Sequence, residues 1–162
     1  MHNFDKVIDV VANNLGDTRT ANRKPNFDEF QAANGSHMAD VQDVMFEIAK
    51  LIKKAGIEHD YTKLTYEAEF YADFCKVLDG STEKFTDMEW YQKHIKEERH
   101  HINSRCPEDV DLIDIIEHIV DCCYAGKTRS GYISPVVIDP EILKKAVENT
   151  VALIDNNTRI VE

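Results

Sequence analysis

The sequence predicts an all-α protein, a single helical domain of about six helices. In most of the chain apolar residues recur three and four positions apart, the spacing that gives a helix one apolar face. The polar stretches between these segments are short and rich in the residues that end helices and form turns. No segment shows a convincing strand pattern. At 162 residues the chain is long enough to enclose one core.

Most of the predicted helices end at a glycine, a proline or a polar turn. In chain order they cover residues 3–15, 28–33 (a short one), 36–55, 65–78, 87–101, 109–125 and 140–155. Ser36 is a suitable N-cap for the helix that it begins, and Gly56 ends that helix. The helix at 109–125 is apolar on most faces, which predicts a central position. Residues 1–35 are expected to add an N-terminal helix and loop to the same domain as residues 36–162.

Charge and composition argue against several classes of partner. The formal net charge of −11 makes a nucleic acid duplex an unsuitable partner, because phosphate backbones are bound by Lys and Arg. A small anionic substrate is still compatible, since a metal ion and a few basic groups can reverse the field inside a pocket. There is no apolar run of about eighteen residues to span a membrane, and no signal peptide pattern, which favours the cytoplasm. The four cysteines show no metal-binding spacing and are expected to be free thiols.

The residues that could carry chemistry centre on the adjacent pair His59-Asp60, at the junction of two predicted helices. Imidazole nitrogen and carboxylate oxygen together suit Mn²⁺, Fe, Co²⁺, Ni²⁺, Zn²⁺ or Mg²⁺. A His-Asp pair alone means little, because chance and helix capping explain most of them. His37 opens the preceding helix, and we expect this helix to pack back so that its start approaches the pair.

A second feature is a pair of carboxylates in the most apolar helix. Asp121 needs a cation or several hydrogen bonds there, since an unpaired buried charge is costly. Glu117 lies one turn earlier and on the same helical face. The alternative is a narrow polar face that also includes Asp114 and His118. His118 points in a different direction from Asp121 and is interpreted as an ordinary helix residue.

The order His37 … His59-Asp60 … Asp121 resembles the H…HD…D signature of the HD-domain superfamily of metal-dependent phosphohydrolases. The resemblance covers about residues 36–125. It implies an all-helical, HD-domain-like bundle whose signature residues bind one or two divalent metal ions.

The chain is also similar to an uncharacterised group of small HD-like proteins found in phages and bacteria. The similarity rests on the segment from His59 to Lys63, on the pair His100-His101 and on the acidic helix. That group usually has Pro-Glu-His after the pair, where this chain has Ile102-Asn103-Ser104. The additional His94 and the pair also resemble the histidines that hold a second metal in HD-GYP phosphodiesterases and in an inositol oxygenase. No Gly-Tyr-Pro motif follows the pair, so hydrolysis of cyclic dinucleotides is not specifically indicated.

What the resemblance implies for the site can be stated residue by residue. The expected metal ligands are His37, His59, Asp60 and Asp121, with His94, His100 and His101 for a second ion. Asp60 would bridge the two ions. Lys63, one helical turn later, is expected to contact the substrate phosphate, and Arg99 is a weaker candidate for the same role. Glu117 is expected to act as general acid or base.

The predicted activity is hydrolysis of a nucleotide or another small phosphate ester by metal-activated water. Two alternatives stay open. One is a di-iron oxygenase on the same scaffold, and the other is a non-catalytic helical module, of a kind suited to a phage, that binds a nucleotide or a partner. A homo-oligomer also stays open. Residues 1–35 have no assigned role, and the alternatives for them are to cover the pocket or to form a dimer contact.

Overall fold

The computed structural model describes residues 1–12, 15–81 and 84–161, and the chain is mostly helical. Its helices are α1 (Phe27–Glu58), α2 (Thr62–Thr65), α3 (Glu67–Leu78), α4 (Glu89–Glu97), α5 (Ile102–Arg105), α6 (Leu112–Ser130) and α7 (Pro140–Asn156). A 3₁₀ turn (Phe85–Asp87) and two short strands, β1 (Ile8–Val11) and β2 (Thr158–Val161), are also present. No helix in the described ranges is long and apolar enough to cross a membrane.

The two strands correct the expectation of an all-α fold. They pair in parallel, in a register that runs from Ile8 opposite Thr158 to Val11 opposite Val161. The predicted helix at 3–15 is therefore wrong where β1 lies, and its residues 13 and 14 fall outside the described part of the chain. β-branched residues make up most of both strands, and they favour an extended backbone once a partner strand lies alongside.

Helix α1 is continuous where two helices were predicted. It begins at Phe27 because Asn26 and Glu29 form a reciprocal cap: the Asn26 side chain accepts the Glu29 N–H at 2.9 Å, and the Glu29 carboxylate accepts the Asn26 N–H at 2.9 Å. The helix then runs through Gly35, where an added Cβ would meet no atom within 4 Å outside the helix's own backbone. A helical glycine costs only about 1 kcal/mol relative to alanine, too little to break a long capped helix. The predicted start at Ser36 is therefore wrong.

Asn26→Ala is expected to lower the free energy of unfolding by about 1 kcal/mol, because the first turn of α1 loses its side-chain acceptor. Asn34→Ala is the matched control, since Asn34 is a half-exposed asparagine inside the same helix whose side chain donates to the Phe30 carbonyl and does not cap the helix. Urea denaturation of both variants measures the difference. Equal losses in the two variants would show that the cap is not what starts the helix.

The chain divides into two compact units, one formed by residues 52–149 with Met1 and the other by residues 2–51 and 150–162. The first unit contains α2 to α6 and has its own core, in which Ile102, Val110, Ile115 and Ala146 are buried together. The second contains the β1–β2 pair and most of α1. The residues of the candidate site described below lie in the first unit.

Helix α6 is the main support of that unit. The Asp111 side chain caps it by accepting the Ile113 N–H at 2.9 Å, and the Asp114 carboxylate accepts the Asp111 N–H at 3.0 Å. It ends at Gly131, which has a φ of +80° and forms a left-handed cap. The predicted central position holds for its start, where Ile113 and Ile115 are buried, whereas Ile116, Ile119 and Val120 are exposed.

Candidate metal centre

Four parts of the first unit bring histidines and carboxylates to one place. The residues concerned are His59 and Asp60 in the turn between α1 and α2, His94 on α4, His100 and His101 in the link between α4 and α5, and Glu117 and Asp121 on α6. The turn at the end of α1 is tight, and Asp60 adopts a φ of +57°. Aspartate is among the few residues other than glycine that enter this left-handed region readily. The turn therefore points the carboxylate back toward the histidines.

Asp60 lies at the middle of the cluster, with each carboxylate oxygen facing different groups. Its Oδ1 is 3.5 Å from His94 Nε2 and 3.6 Å from His100 Nε2. Its Oδ2 is 3.4 Å from His59 Nε2 and is hydrogen-bonded to the Lys63 ammonium. Atoms that share one metal ion through bonds of about 2.1 Å lie roughly 3–4 Å apart. The spacing around Asp60 therefore suits an ion on each side of the carboxylate.

The first group of potential ligands is Asp60, His94 and His101, whose nearest donor atoms all lie within 4.8 Å of one another. The Nε2 atoms of His94 and His101 are only 2.7 Å apart. Burial lowers the pKa of His94 to about 4 and the pKa of His101 to about 3. Both rings are therefore neutral near pH 7, the state in which an imidazole can bind a metal ion.

A relay of hydrogen bonds behind His94 selects the tautomer that metal binding needs. Thr62 donates its hydroxyl to Glu98 Oε1 at 2.6 Å, and His94 Nδ1 lies 2.7 Å from the same hydroxyl. Because the hydroxyl hydrogen is already used, His94 Nδ1 is the donor of the second bond. The lone pair of His94 is then on Nε2, which faces Asp60. A carboxylate that orients a histidine from behind is typical of metal sites.

The second group is His59, His100 and Glu117. Glu117 Oε1 lies 2.9 Å from His59 Nδ1 and 3.0 Å from His100 Nδ1. The His100 contact is an ion pair through Nδ1, whereas Nε2 of this histidine has no hydrogen-bond partner among the described residues, although His100 is only 1% exposed. Buried polar atoms without partners are rare, and a cation near Asp60 would satisfy Nε2.

Carboxylates outnumber cations in the cluster. Asp121 completes it on the α6 side, with Oδ1 3.7 Å from His59 Nε2. Burial opposes ionisation of Asp60, but the Lys63 ammonium outweighs it and holds the pKa of Asp60 below its usual value. Burial also opposes a charge on His100, yet the carboxylate of Glu117 raises the pKa of this ring. The excess of negative charge is what a divalent ion would neutralise.

A cleft of about 840 Å³ opens onto this cluster. Its floor includes Asp60, Lys63, His94, His101 and Asp121. Its lining also includes residues of α6 and of the segment after it, and five aromatic side chains that we call the aromatic wall: Phe70, Phe74, Phe85, Trp90 and Tyr91. Gly126 lets that segment approach closely, because a Cβ there would lie 3.3 Å from the Tyr132 carbonyl oxygen. The cluster is therefore reachable by a small molecule of mixed polar and aromatic character.

Two residues predicted for the site are not among the residues of this cluster. His37 is exposed within α1, in the other unit, and belongs to neither ligand group. Its predicted role required a helix that starts at Ser36, and α1 starts at Phe27. Arg99 is engaged elsewhere: it donates two bonds to the Asp114 carboxylate at 2.7 and 2.8 Å, and it also donates to Asp109. It is therefore not used as a phosphate contact in this arrangement.

The sequence patterns missed two supporting interactions. One is the relay from Glu98 through Thr62 to His94. The other involves His118, interpreted above as an ordinary helix residue, whose Nδ1 lies 2.9 Å from the His100 carbonyl oxygen. Neither follows from a local motif, because each depends on where the link after α4 runs.

Comparison with known proteins adds no relative: no family model, no curated protein and no solved structure matches the chain. The resemblance to the HD-domain superfamily therefore stays a prediction from the motif.

Proposed function

We propose that this chain is an HD-type, metal-dependent phosphohydrolase that acts on a nucleotide or another small phosphate ester. The observation that carries the proposal is the position of Asp60, whose two carboxylate oxygens face histidines that come from three separate parts of the first unit. The HD motif supports the same interpretation, since His59 and Asp60 are its central pair.

The residues fit one or two divalent ions. His94, His100, His101 and Oδ1 of Asp60 would hold one ion. His59, Asp121 and Oδ2 of Asp60 would hold the other. A bound divalent ion would polarise a phosphoryl oxygen and lower the pKa of water. The mixed nitrogen and oxygen ligands favour Mn, Fe, Co, Ni or Zn over Mg, which prefers oxygen alone.

Lys63 and Glu117 have distinct roles in this proposal. The Lys63 ammonium touches Asp60 and lines the cleft, so it can neutralise charge that develops on phosphoryl oxygens. Glu117 contacts the Nδ1 side of both His59 and His100, which is the position of a carboxylate that orients metal-binding imidazoles. We therefore assign Glu117 to orientation of the ligands, in place of the general acid or base role expected from the sequence.

The aromatic wall of the cleft favours a nucleotide among small phosphate esters. Trp90 has both ring faces covered, by Phe70 at 4.0 Å and by His94 at 4.8 Å between ring centroids. Phe74 also lines the cleft and is 48% exposed, so its ring has a free face. A nucleobase bound there would stack on Phe74 while its phosphate lies near Asp60.

Phe74→Ala is expected to raise the KM for nucleotides about 10-fold, because stacking of one base on an aromatic ring contributes about 1–3 kcal/mol. The KM for ribose 5-phosphate is expected to change little, since this compound has no base. Tyr71→Ala is the control: Tyr71 is a 70% exposed aromatic residue on the same helix and does not line the cleft. Equal effects of Phe74→Ala on both substrates would contradict the stacking role.

The proposal as a whole is tested by stripping the purified protein with a chelator and reloading it separately with Mn²⁺, Co²⁺, Fe²⁺, Zn²⁺ or Mg²⁺. Each form is then assayed for release of product from nucleotides and sugar phosphates. We expect metal-dependent hydrolysis of at least one nucleotide and none in the stripped protein. Tight nucleotide binding without turnover would favour the binding module. Two bound irons with consumption of oxygen would favour the oxygenase.

A further inference from the structure

The link between α4 and α5 carries two of the candidate ligands but has little regular structure of its own. It comprises residues 98–101, and its internal backbone bonds are confined to turns, such as that from the His101 N–H to the Glu98 carbonyl at 3.3 Å. Metal ligands must be held to within a fraction of an ångström, which a short turn cannot do alone. Other parts of the molecule must therefore fix His100 and His101.

One fixed point is Arg99, directly before the pair. Its Nε and Nη2 donate to the two oxygens of Asp114 at 2.8 and 2.7 Å, and its Nη1 and Nη2 bond to Asp109 at 2.9 and 3.0 Å. Asp114 lies in the first turn of α6 and is completely buried. Two parallel hydrogen bonds to one carboxylate fix the orientation of a planar guanidinium as well as its position. The chain just before His100 is therefore tied to the start of α6.

The second fixed point is the carbonyl oxygen of His100, which accepts a hydrogen bond from His118. His118 lies one helical turn after Asp114 on α6. His118 is 6% exposed, its Nδ1 lies 2.9 Å from that carbonyl oxygen, and its Nε2 lies 3.2 Å from the Asn103 amide nitrogen. A carbonyl can only accept and an amide nitrogen can only donate, so Nδ1 carries the hydrogen and Nε2 accepts. The next residue after the pair, Ile102, is 1% exposed in the core.

We propose that Arg99 and His118 are positioning residues, which hold the His100-His101 link against α6 so that both imidazoles face Asp60. Neither belongs to the groups of potential metal ligands. Each acts through the backbone on one side of His100, and together they leave this residue little freedom. The inference rests on the metal centre of the proposed function, and it adds two residues whose effect on metal binding is indirect.

Partners that orient metal ligands typically change metal affinity by about 10- to 100-fold when they are removed. His118→Leu keeps much of the side-chain volume but loses the donor to the His100 carbonyl. His118→Asn keeps a donor, because its amide nitrogen can occupy the position of Nδ1. The two variants therefore separate the hydrogen bond from the filling of space.

The test is a Co²⁺ titration of the metal-free full chain, followed by visible absorption, for the wild type and both variants. We expect His118→Leu to weaken Co²⁺ binding at least about 10-fold and to change the absorption bands, and His118→Asn to restore most of the wild-type affinity. Thermal melting with and without Co²⁺ gives an independent measurement. A merely structural role would lower both melting temperatures equally and leave the metal-induced increase unchanged.

The outcomes distinguish two claims, the metal centre itself and the positioning role of Arg99 and His118. If the wild type binds no Co²⁺, both the metal centre and the positioning role are wrong. If the wild type binds Co²⁺ and His118→Leu binds it with unchanged affinity and spectrum, only the positioning role is wrong. Should His118→Leu fail to fold, Arg99→Lys replaces it, since lysine keeps the charge but loses the paired contact with Asp114. Unchanged Co²⁺ affinity in Arg99→Lys would then overturn the proposal.

Discussion

Asp60→Asn is expected to reduce hydrolysis by at least about 100-fold and to abolish the rise in melting temperature that a divalent metal gives the wild type. Asp60 is the residue whose two oxygens face His59 on one side and His94 and His100 on the other. In the proposed metal centre Asp60 is a ligand of both ions, and its loss should therefore exceed the 10- to 100-fold cost of losing an orienting partner. Each factor of ten corresponds to about 1.4 kcal/mol.

Asparagine is the appropriate replacement, because it also tolerates the φ of +57° that Asp60 adopts. Alanine would alter the backbone energy as well as the charge. The metal-free variant should melt close to the metal-free wild type, since an ion pair with the half-exposed Lys63 is worth less than about 1 kcal/mol. Asp155→Asn, at an exposed aspartate of the other unit, is the matched control. Retained metal binding in Asp60→Asn would contradict the account.

Asp114→Ala is expected to lower the free energy of unfolding by about 3 kcal/mol in the metal-free protein. Asp114 is completely buried, and it accepts two bonds from Arg99 and one from the Asp111 N–H. Removing one partner of a buried ion pair leaves the other charge uncompensated, which costs about 3–5 kcal/mol. The lower end of this energy range applies to Asp114→Ala, because Arg99 is partly exposed and keeps its contact with Asp109.

Urea denaturation in the presence of a chelator measures this effect without a contribution from metal binding. Asp114→Asn is the informative comparison, since its amide oxygen can still accept the Asp111 N–H while the charge is gone. We expect its loss of stability to be smaller than that of Asp114→Ala. A decrease below about 1 kcal/mol for Asp114→Ala would show that the ion pair does not hold the start of α6.

The local part of the site could be predicted from the sequence. His59 and Asp60 are adjacent, and Glu117 and Asp121 are one helical turn apart, so any fold that keeps those helices also keeps the two pairs together. That the pairs would meet each other was expected only from the HD motif. In the structure His59 contacts Glu117 at 2.9 Å across 58 residues of sequence.

The errors have identifiable physical causes. Around Ile8 the apolar spacing is compatible with a helix, and the strand forms because a partner near the other end of the chain lies alongside it. The predicted start of α1 is wrong because Gly35 resembles a helix break, although the cap formed by Asn26 and Glu29 is visible in the sequence as an Asn-x-x-Glu pattern. The role of His118 has no sequence signal, since its partner is a backbone carbonyl.

The central claim is that Asp60 lies at the middle of a metal centre. The most direct measurement is anomalous diffraction from crystals of the Mn²⁺-loaded protein. We expect at least one anomalous peak within about 2.5 Å of an Asp60 carboxylate oxygen and of a histidine Nε2. The account would be contradicted if crystals fully loaded with Mn²⁺ showed no anomalous peak beside Asp60. The Asp60 carboxylate would then be bonded only to Lys63 and to imidazole N–H groups.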